Sequence, residues 1–126
     1  MKRNRTKCKL TVRPLDENPT CKITKQDAFC WCLDRTLALI IRDSLIAFTQ
    51  SDDLGIPSEL WRTRREETDE KITDEEIWRE WRAHILRVAG RFDEYATYGA
   101  DAEDFTPDTV KEMFAELAEI FPHLWT

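Results

Sequence analysis

Glycine is almost missing from this chain: Gly55, Gly90 and Gly99 are the only three in 126 residues. A phosphate-cradling loop and a dinucleotide-binding fingerprint both need backbone where a Cβ would intrude, so neither can be built. Histidine is as scarce, with His84 and His123 alone. Two are too few for most histidine-based metal sites, and neither sits in a metalloprotease-type motif. No nucleophile elbow and no Cys–His signature appears. Carboxylates abound, yet none pair at helical spacing inside an apolar face. No catalytic, cofactor-binding or metal-ligating residue is therefore assigned, and the expectation is a protein that is not an enzyme and needs no cofactor.

Long apolar runs are lacking too. No run exceeds six residues (Ala28 to Leu33; Leu37 to Ile41 has five), against the roughly 20 of a bilayer span, so no membrane partner is expected. The basic N-terminus is followed by no apolar region, which argues against a secretory signal and for the cytoplasm. The four cysteines, Cys8, Cys21, Cys30 and Cys32, then read as reduced thiols. Cys30 and Cys32 project about 200° apart around a helix and cannot jointly grip one metal unless it unwinds. A zinc-stabilised structural module using all four is the third reading of the chain.

At 126 residues the chain is one domain by length, able to bury roughly two thirds of its unfolded surface. Its charge is unevenly spread. Residues 1–13 hold six bases (Lys2, Arg3, Arg5, Lys7, Lys9, Arg13) and no acid, whereas residues 93–126 hold nine acids against Lys111. A cationic arm is thus joined to an anionic body. Within the arm, residues 7–13 alternate apolar and polar side chains, a strand pattern. As the only such segment, it is expected to lie extended or to pair with another chain, not to form a sheet within this one. Pro14 and Asn18-Pro19 end it.

Three helices are predicted. The first follows the N-cap Thr24 and runs over about residues 25–49. Phe29, Leu33, Leu37, Ile40 and Phe48 hold one side, while Leu39, Ile41, Leu45 and Ile46 spread round the rest. A helix apolar nearly all round reads as the buried central element. Asp34 projects between Ile41 and Leu45 in that apolar sector. It is expected to be a structural buried carboxylate, answered by an arginine of the second helix or the arm, or by a neighbouring helix end.

Residues 50–72 read as a connection with at most one or two helical turns after Ser58, carrying a basic-aromatic cluster of Trp61, Arg62, Arg64 and Arg65. Such a cluster either holds a carboxylate or phosphate of a partner or is a solvated loop whose tryptophan packs back on the body. The second helix opens on a capping box, Thr73 to Glu76, and runs over 74–98 before Gly99. Ile77, Trp81, Ile85, Val88 and Phe92 fall on one stripe about 80° wide; His84 flanks it, and Gly90 lies on the wet side. The third helix starts at Thr106-Pro107 and covers about 107–121, ending before Pro122. Val110, Phe114, Leu117 and Phe121 are expected to face inward, flanked by Met113 and Ile120. Leu124 and Trp125 are expected to be pinned to the core.

The expected architecture is all-α. Two long helices form an antiparallel hairpin, a shorter third caps it, and residues 1–23 form an extended basic arm beside a helical domain over 24–126. Losing Leu37 or Phe92 to alanine should cost about 2–5 kcal/mol through lost packing.

The chain resembles a group of small bacteriophage-encoded helical proteins of uncharacterised function. The shared pattern runs from Val12-Arg13-Pro14-Leu15 and Asn18-Pro19-Thr20 to Trp31-Cys32-Leu33-Asp34-Arg35-Thr36-Leu37-Ala38, Leu45 and Phe48. Gly55-Ile56-Pro57, an acidic start and tryptophan in the second helix, and the terminal Leu124-Trp125 complete it. The arginine-rich stretch 61–65 departs from that pattern. The resemblance implies a phage or prophage origin and a bacterial cytoplasm, with no activity attached.

Six acids, Asp101, Glu103, Asp104, Glu112, Glu116 and Glu119, give a dense negative surface around the third helix. They are the expected partner-binding residues, suited to a host or phage protein with a basic surface. The functional expectation is stoichiometric protein binding by a phage protein, with inhibition of a host defence complex such as a CRISPR-Cas nuclease as its sharper form. That sharper form is an argument by class, from how small acidic phage proteins act. The alternative is nucleic-acid binding through the arm.

Overall fold

The computed structural model describes residues 10–12 and 21–23 as backbone, together with residues 33–99, 103 and 105–125. Among the described residues four helices carry the fold: α1 (Leu33–Thr49), α2 (Ser58–Glu67), α3 (Asp74–Tyr98) and α4 (Pro107–Ile120), with a final 3-10 turn over Phe121–His123. The protein is all-α in its body. Two short strands, β1 (Leu10–Val12) and β2 (Cys21–Ile23), pair antiparallel with Leu10 opposite Ile23 and Val12 opposite Cys21. This corrects the expectation that the strand segment finds no mate within its own chain. Cys21-Lys22-Ile23 is too short to show an alternating pattern of its own, and only pairing reveals it. Residues 7–9 and 13 and the proposed start of the first helix over 25–32 lie outside the described residues.

Helix α3 begins and ends where its sequence signals stand. The Thr73 hydroxyl accepts from the Glu76 N–H (3.2 Å) and the Glu76 carboxylate accepts from the Thr73 N–H (3.0 Å), a reciprocal capping box. At the other end Gly99 adopts φ +66°, a conformation that costs a Cβ-bearing residue 1–2 kcal/mol, as an order of magnitude. Helix α4 starts on the Thr106 hydroxyl, which accepts from the Thr109 N–H at 3.2 Å, with Pro107 at the first helical position.

The long pair α1 and α3 runs antiparallel, the first turn of α1 lying against the last turns of α3 (Asp34 with Tyr95, Arg35 with the carbonyl of Tyr98). The buried centre belongs to α3, which sinks Ile77, Trp81, Ile85, Val88, Ala89 and Phe92. α1 adds Ala38 and Leu45, α4 adds Met113 and Ile120, and the α3–α4 connection adds Phe105.

Helix α1 is consequently not the central element. Leu33 (44%), Leu37 (48%) and Ile46 (37%) remain exposed. Ala38, Leu45 and Thr49 project within about 40° of one another and are buried, whereas Leu33 and Leu37 point elsewhere. Apolar composition on every side says what a helix tolerates; the number of neighbours decides what is covered.

Two further expectations are corrected. Residues 58–67 form nearly three helical turns, not one or two. Their charged run hides the helix from an apolar-period reading, yet Arg64 reaches Glu67 one turn on (2.7 Å) and Glu80 of α3. The end of α2 is a Schellman motif: the Glu70 N–H donates to the Arg65 carbonyl and the Asp69 N–H to the Glu66 carbonyl. Helix α4 is rotated from its expected facing. Met113 and Ile120 are the buried residues, Val110 and Leu117 are half-buried, and Phe114 (49%) and Phe121 (68%) face out. A stripe offers several inward choices within a few tens of degrees, and the groove left by α1 and α3 makes the selection.

Of the two C-terminal residues expected on the core, Leu124 packs there, whereas Trp125 covers Gly55 and stays 54% exposed. The Gly55 N–H donates to the Trp125 carbonyl at 2.8 Å. The Trp125 ring lies so close over Gly55 that any Cβ there would overlap it.

Candidate functional site

The acids predicted to meet a partner do not form one uniform face. Glu103, Glu112 and Glu119 are exposed, and Glu116 is half-buried. Asp101 and Asp104 lie outside the described residues. Glu112, Glu116 and Glu119 share one side of α4, as their spacing requires. Glu116 nevertheless faces Arg91 of α3, with 3.8 Å between Oε2 and Nε. That guanidinium nitrogen is buried without a hydrogen-bond partner, so the Glu116 charge answers an internal cation. Among the described residues no cation comes within ion-pair distance of Glu112 or Glu119.

On the opposite edge of α4, roughly 140–180° round the helix from these acids, lies aromatic surface. Phe114 meets Phe92 edge-on with ring centres 5.3 Å apart, which fixes one half of its ring and leaves the other in solvent. Phe121 follows two turns later on the same strip. The sequence marks both phenylalanines but assigns them to the core. The signal that separates them from Met113 and Ile120 is absent from α4 itself.

Asp34 is corrected in burial and in partner. It is exposed, and its Oδ2 accepts from the Tyr95 hydroxyl at 2.7 Å, with Arg35 of its own helix a lesser charge neighbour; the arginines of the arm lie outside the described residues. That hydrogen bond holds the Asp34 carboxyl below the usual carboxylate range, against a smaller opposing effect of burial. The Tyr95 phenol is pushed up to about 12 by the same bond and by desolvation. The arrangement is structural: it ties α1 to α3 and leaves neither group poised for proton transfer near neutrality.

The basic-aromatic cluster is spent internally. Arg64 grips Glu80 with two hydrogen bonds, Nε to Oε2 (2.7 Å) and Nη2 to Oε1 (2.8 Å). This fork holds the Glu80 carboxyl below its ordinary value and raises the Arg64 guanidinium. Arg65 pairs with Asp74 at the start of α3 and sits 5.0 Å from the Trp61 ring centre. Arg62 alone of the cluster points fully to solvent. The sequence brings three arginines together, but the fold supplies counter-ions to Arg64 and Arg65 from α2 and α3, so no ready phosphate clamp results.

Between α2 and α3 lies a cleft of about 450 Å³ lined by Leu60, Glu80, Trp81, Ala83, His84 and Arg87. The His84 ring stacks on Trp81 (centres 5.9 Å apart, planes 11° apart), and the His123 ring meets the same indole edge-on at 6.2 Å. Both histidines therefore serve one tryptophan, and His84 is the boundary residue its position predicts. Among the described residues, no group of three or more His, Cys, Asp or Glu is arranged to hold a metal. Cys8, Cys30 and Cys32 lie outside them. Among the same residues no helix is long and apolar enough to cross a membrane.

No family model matches this chain, and no curated protein and no solved structure shows significant similarity to it.

Proposed function

We propose that this protein works by stoichiometric binding to another protein through the outer surface of α4, and makes or breaks no covalent bond. The supporting observation is the coexistence on α4 of exposed, uncompensated carboxylates (Glu112, Glu119) and half-exposed phenylalanines (Phe114, Phe121). The rings and the acids stand on opposite edges of the outer side of α4, so a partner that spans this side meets both, and exposed aromatic area is more than a merely solvated helix needs. A basic partner would be steered by the acids and anchored by the rings. The sharper form, resting on the resemblance to phage proteins, is inhibition of a host defence complex in the bacterial cytoplasm, with a CRISPR-Cas nuclease as target.

The test compares wild-type protein with the pairs Phe114→Ser/Phe121→Ser and Glu112→Lys/Glu119→Lys. Glu116 is left intact because of Arg91. Each variant is checked for unchanged melting, then assayed for retention of partners from bacterial lysate and for inhibition of purified CRISPR-Cas cleavage at equimolar ratio. Loss of a wild-type interaction in both variants supports the reading; equal retention removes α4 as the contact. Catalytic turnover of a substrate by the purified protein would end the binding-only proposal.

Nucleic-acid binding by the arm is the second reading, favoured by the β1–β2 pairing. An antiparallel ribbon can follow a phosphate backbone, and the sequence flanking its first strand carries six bases. Deleting residues 1–13 should then abolish a salt-dependent affinity for DNA or RNA; full-length protein with no such affinity excludes it.

A further inference from the structure

We propose that the cleft between α2 and α3 binds a small organic carboxylate with an apolar body. This site is separate from the α4 surface and does not depend on the protein-binding reading. Its volume, about 450 Å³, lies in the range of clefts that hold small molecules.

The apolar part of the wall is Leu60, Ala83 and the indole of Trp81, itself only 5% exposed. The polar part is unusual in its charge. Arg42, Arg65 and Arg79 each meet a carboxylate, but Arg87 meets only a histidine: its Nη2 lies 2.9 Å from His84 Nδ1. That contact needs an unprotonated Nδ1, so His84 orients the guanidinium without neutralising it. Among the described residues no carboxylate comes within ion-pair distance of Arg87. The one acid on the wall, Glu80, has both oxygens taken by Arg64, so it neither pairs with Arg87 nor strongly repels an anion.

The cleft thus offers a directed, uncompensated cation at the edge of an aromatic floor, on a protein whose net charge is −6. Other acids of the body are screened beyond a Debye length of about 8–10 Å. Guanidinium N–H groups not used by His84 remain to form the forked contact that arginine makes with a carboxylate. The Trp81 indole N–H lies beneath this wall, buried and without a hydrogen-bond partner, so it reports on occupation of the cleft without contacting the ligand. Stacking against His84 holds the Trp81 ring in position for the ligand's apolar part.

The experiment is a titration of the full-length protein with phenylacetate, followed by the Trp81 indole N–H and the Arg87 side-chain N–H resonances. A ligand of this size should bind with a dissociation constant on the order of millimolar. Saturable shifts at both resonances are expected, with phenylacetamide (same body, no charge) at least about tenfold weaker. Arg87→Gln, at an exposed position that leaves the fold intact, should weaken phenylacetate about tenfold and the amide little. Ala83→Leu, filling the cleft, should weaken both. The proposal is overturned if phenylacetate gives no saturable shift, if the amide binds equally well, or if Arg87→Gln leaves phenylacetate binding unchanged.

Discussion

The Tyr95 hydroxyl on α3 donates a 2.7 Å hydrogen bond to Oδ2 of Asp34 in the first turn of α1. One bond lowers the carboxyl and raises the phenol, so it makes stability depend on pH at both ends. The folded Asp34 carboxyl lies below its unfolded value. Its contribution is therefore present above the ordinary carboxylate range and lost as pH falls through the lowered folded value. The folded Tyr95 phenol, near 12 against about 10 unfolded, contributes fully below pH ~10 and loses that contribution as pH rises toward 12. Tyr95→Phe should cost about 0.5 kcal/mol near neutrality, a low figure because Asp34 is solvent-exposed. Melting temperatures of both proteins across pH should show a gap that narrows in acid and in alkali. A gap independent of pH would mean the bond does not form.

Phe92→Ala should destabilise by about 3–5 kcal/mol, because Phe92 is 1% exposed at the meeting of α1, α3 and α4. Leu37→Ala, which a helix-wheel reading rates equally severe, should cost less than about 1 kcal/mol, Leu37 being 48% exposed. Urea denaturation of the two variants checks the contrast. Equal losses would show α1 to be buried on its outer side.

Two glycines should respond in opposite directions to alanine. A Cβ at Gly90 meets nothing within 4 Å, so Gly90→Ala should stabilise by about 1 kcal/mol through helix propensity. A Cβ at Gly55 overlaps the Trp125 ring. Gly55→Ala should therefore displace the C-terminal residues, lower the melting temperature and change tryptophan fluorescence. Gly55→Ala with unchanged fluorescence would show that the tail does not rest there.

Asp69, at the position of the Schellman motif usually held by glycine, has φ +51°. Asp69→Gly should relieve that strain and stabilise by about 1 kcal/mol, read as a higher urea midpoint with an unchanged slope. Destabilisation would indicate that the Asp69 side chain supplies an interaction larger than the strain.

Local signals carried the helix boundaries well. Thr73 and Glu76, Thr106-Pro107 and Gly99 mark chemistry completed within one helical turn, so the termini of α3 and α4 are legible from sequence. The α3 stripe is legible for the same reason: one narrow apolar arc admits one facing. The candidate site was legible only in its acids. Phe114 and Phe121 gave no sign of being outside, Glu116 no sign of its debt to Arg91, and the α2–α3 cleft no sign at all.

By itself, then, the order of residues determined that this chain is helical, where α3 and α4 start and stop, and which side of α3 is apolar. Those properties depend on contacts within a few residues along the chain. Tertiary structure alone decided that α3 rather than α1 is the centre, that α4 turns Met113 and Ile120 inward, and that Arg64 closes on Glu80 while Arg87 closes on no acid among the described residues. Each of these is a competition between several locally acceptable arrangements, settled by the shape and charge of a surface contributed from elsewhere in the sequence.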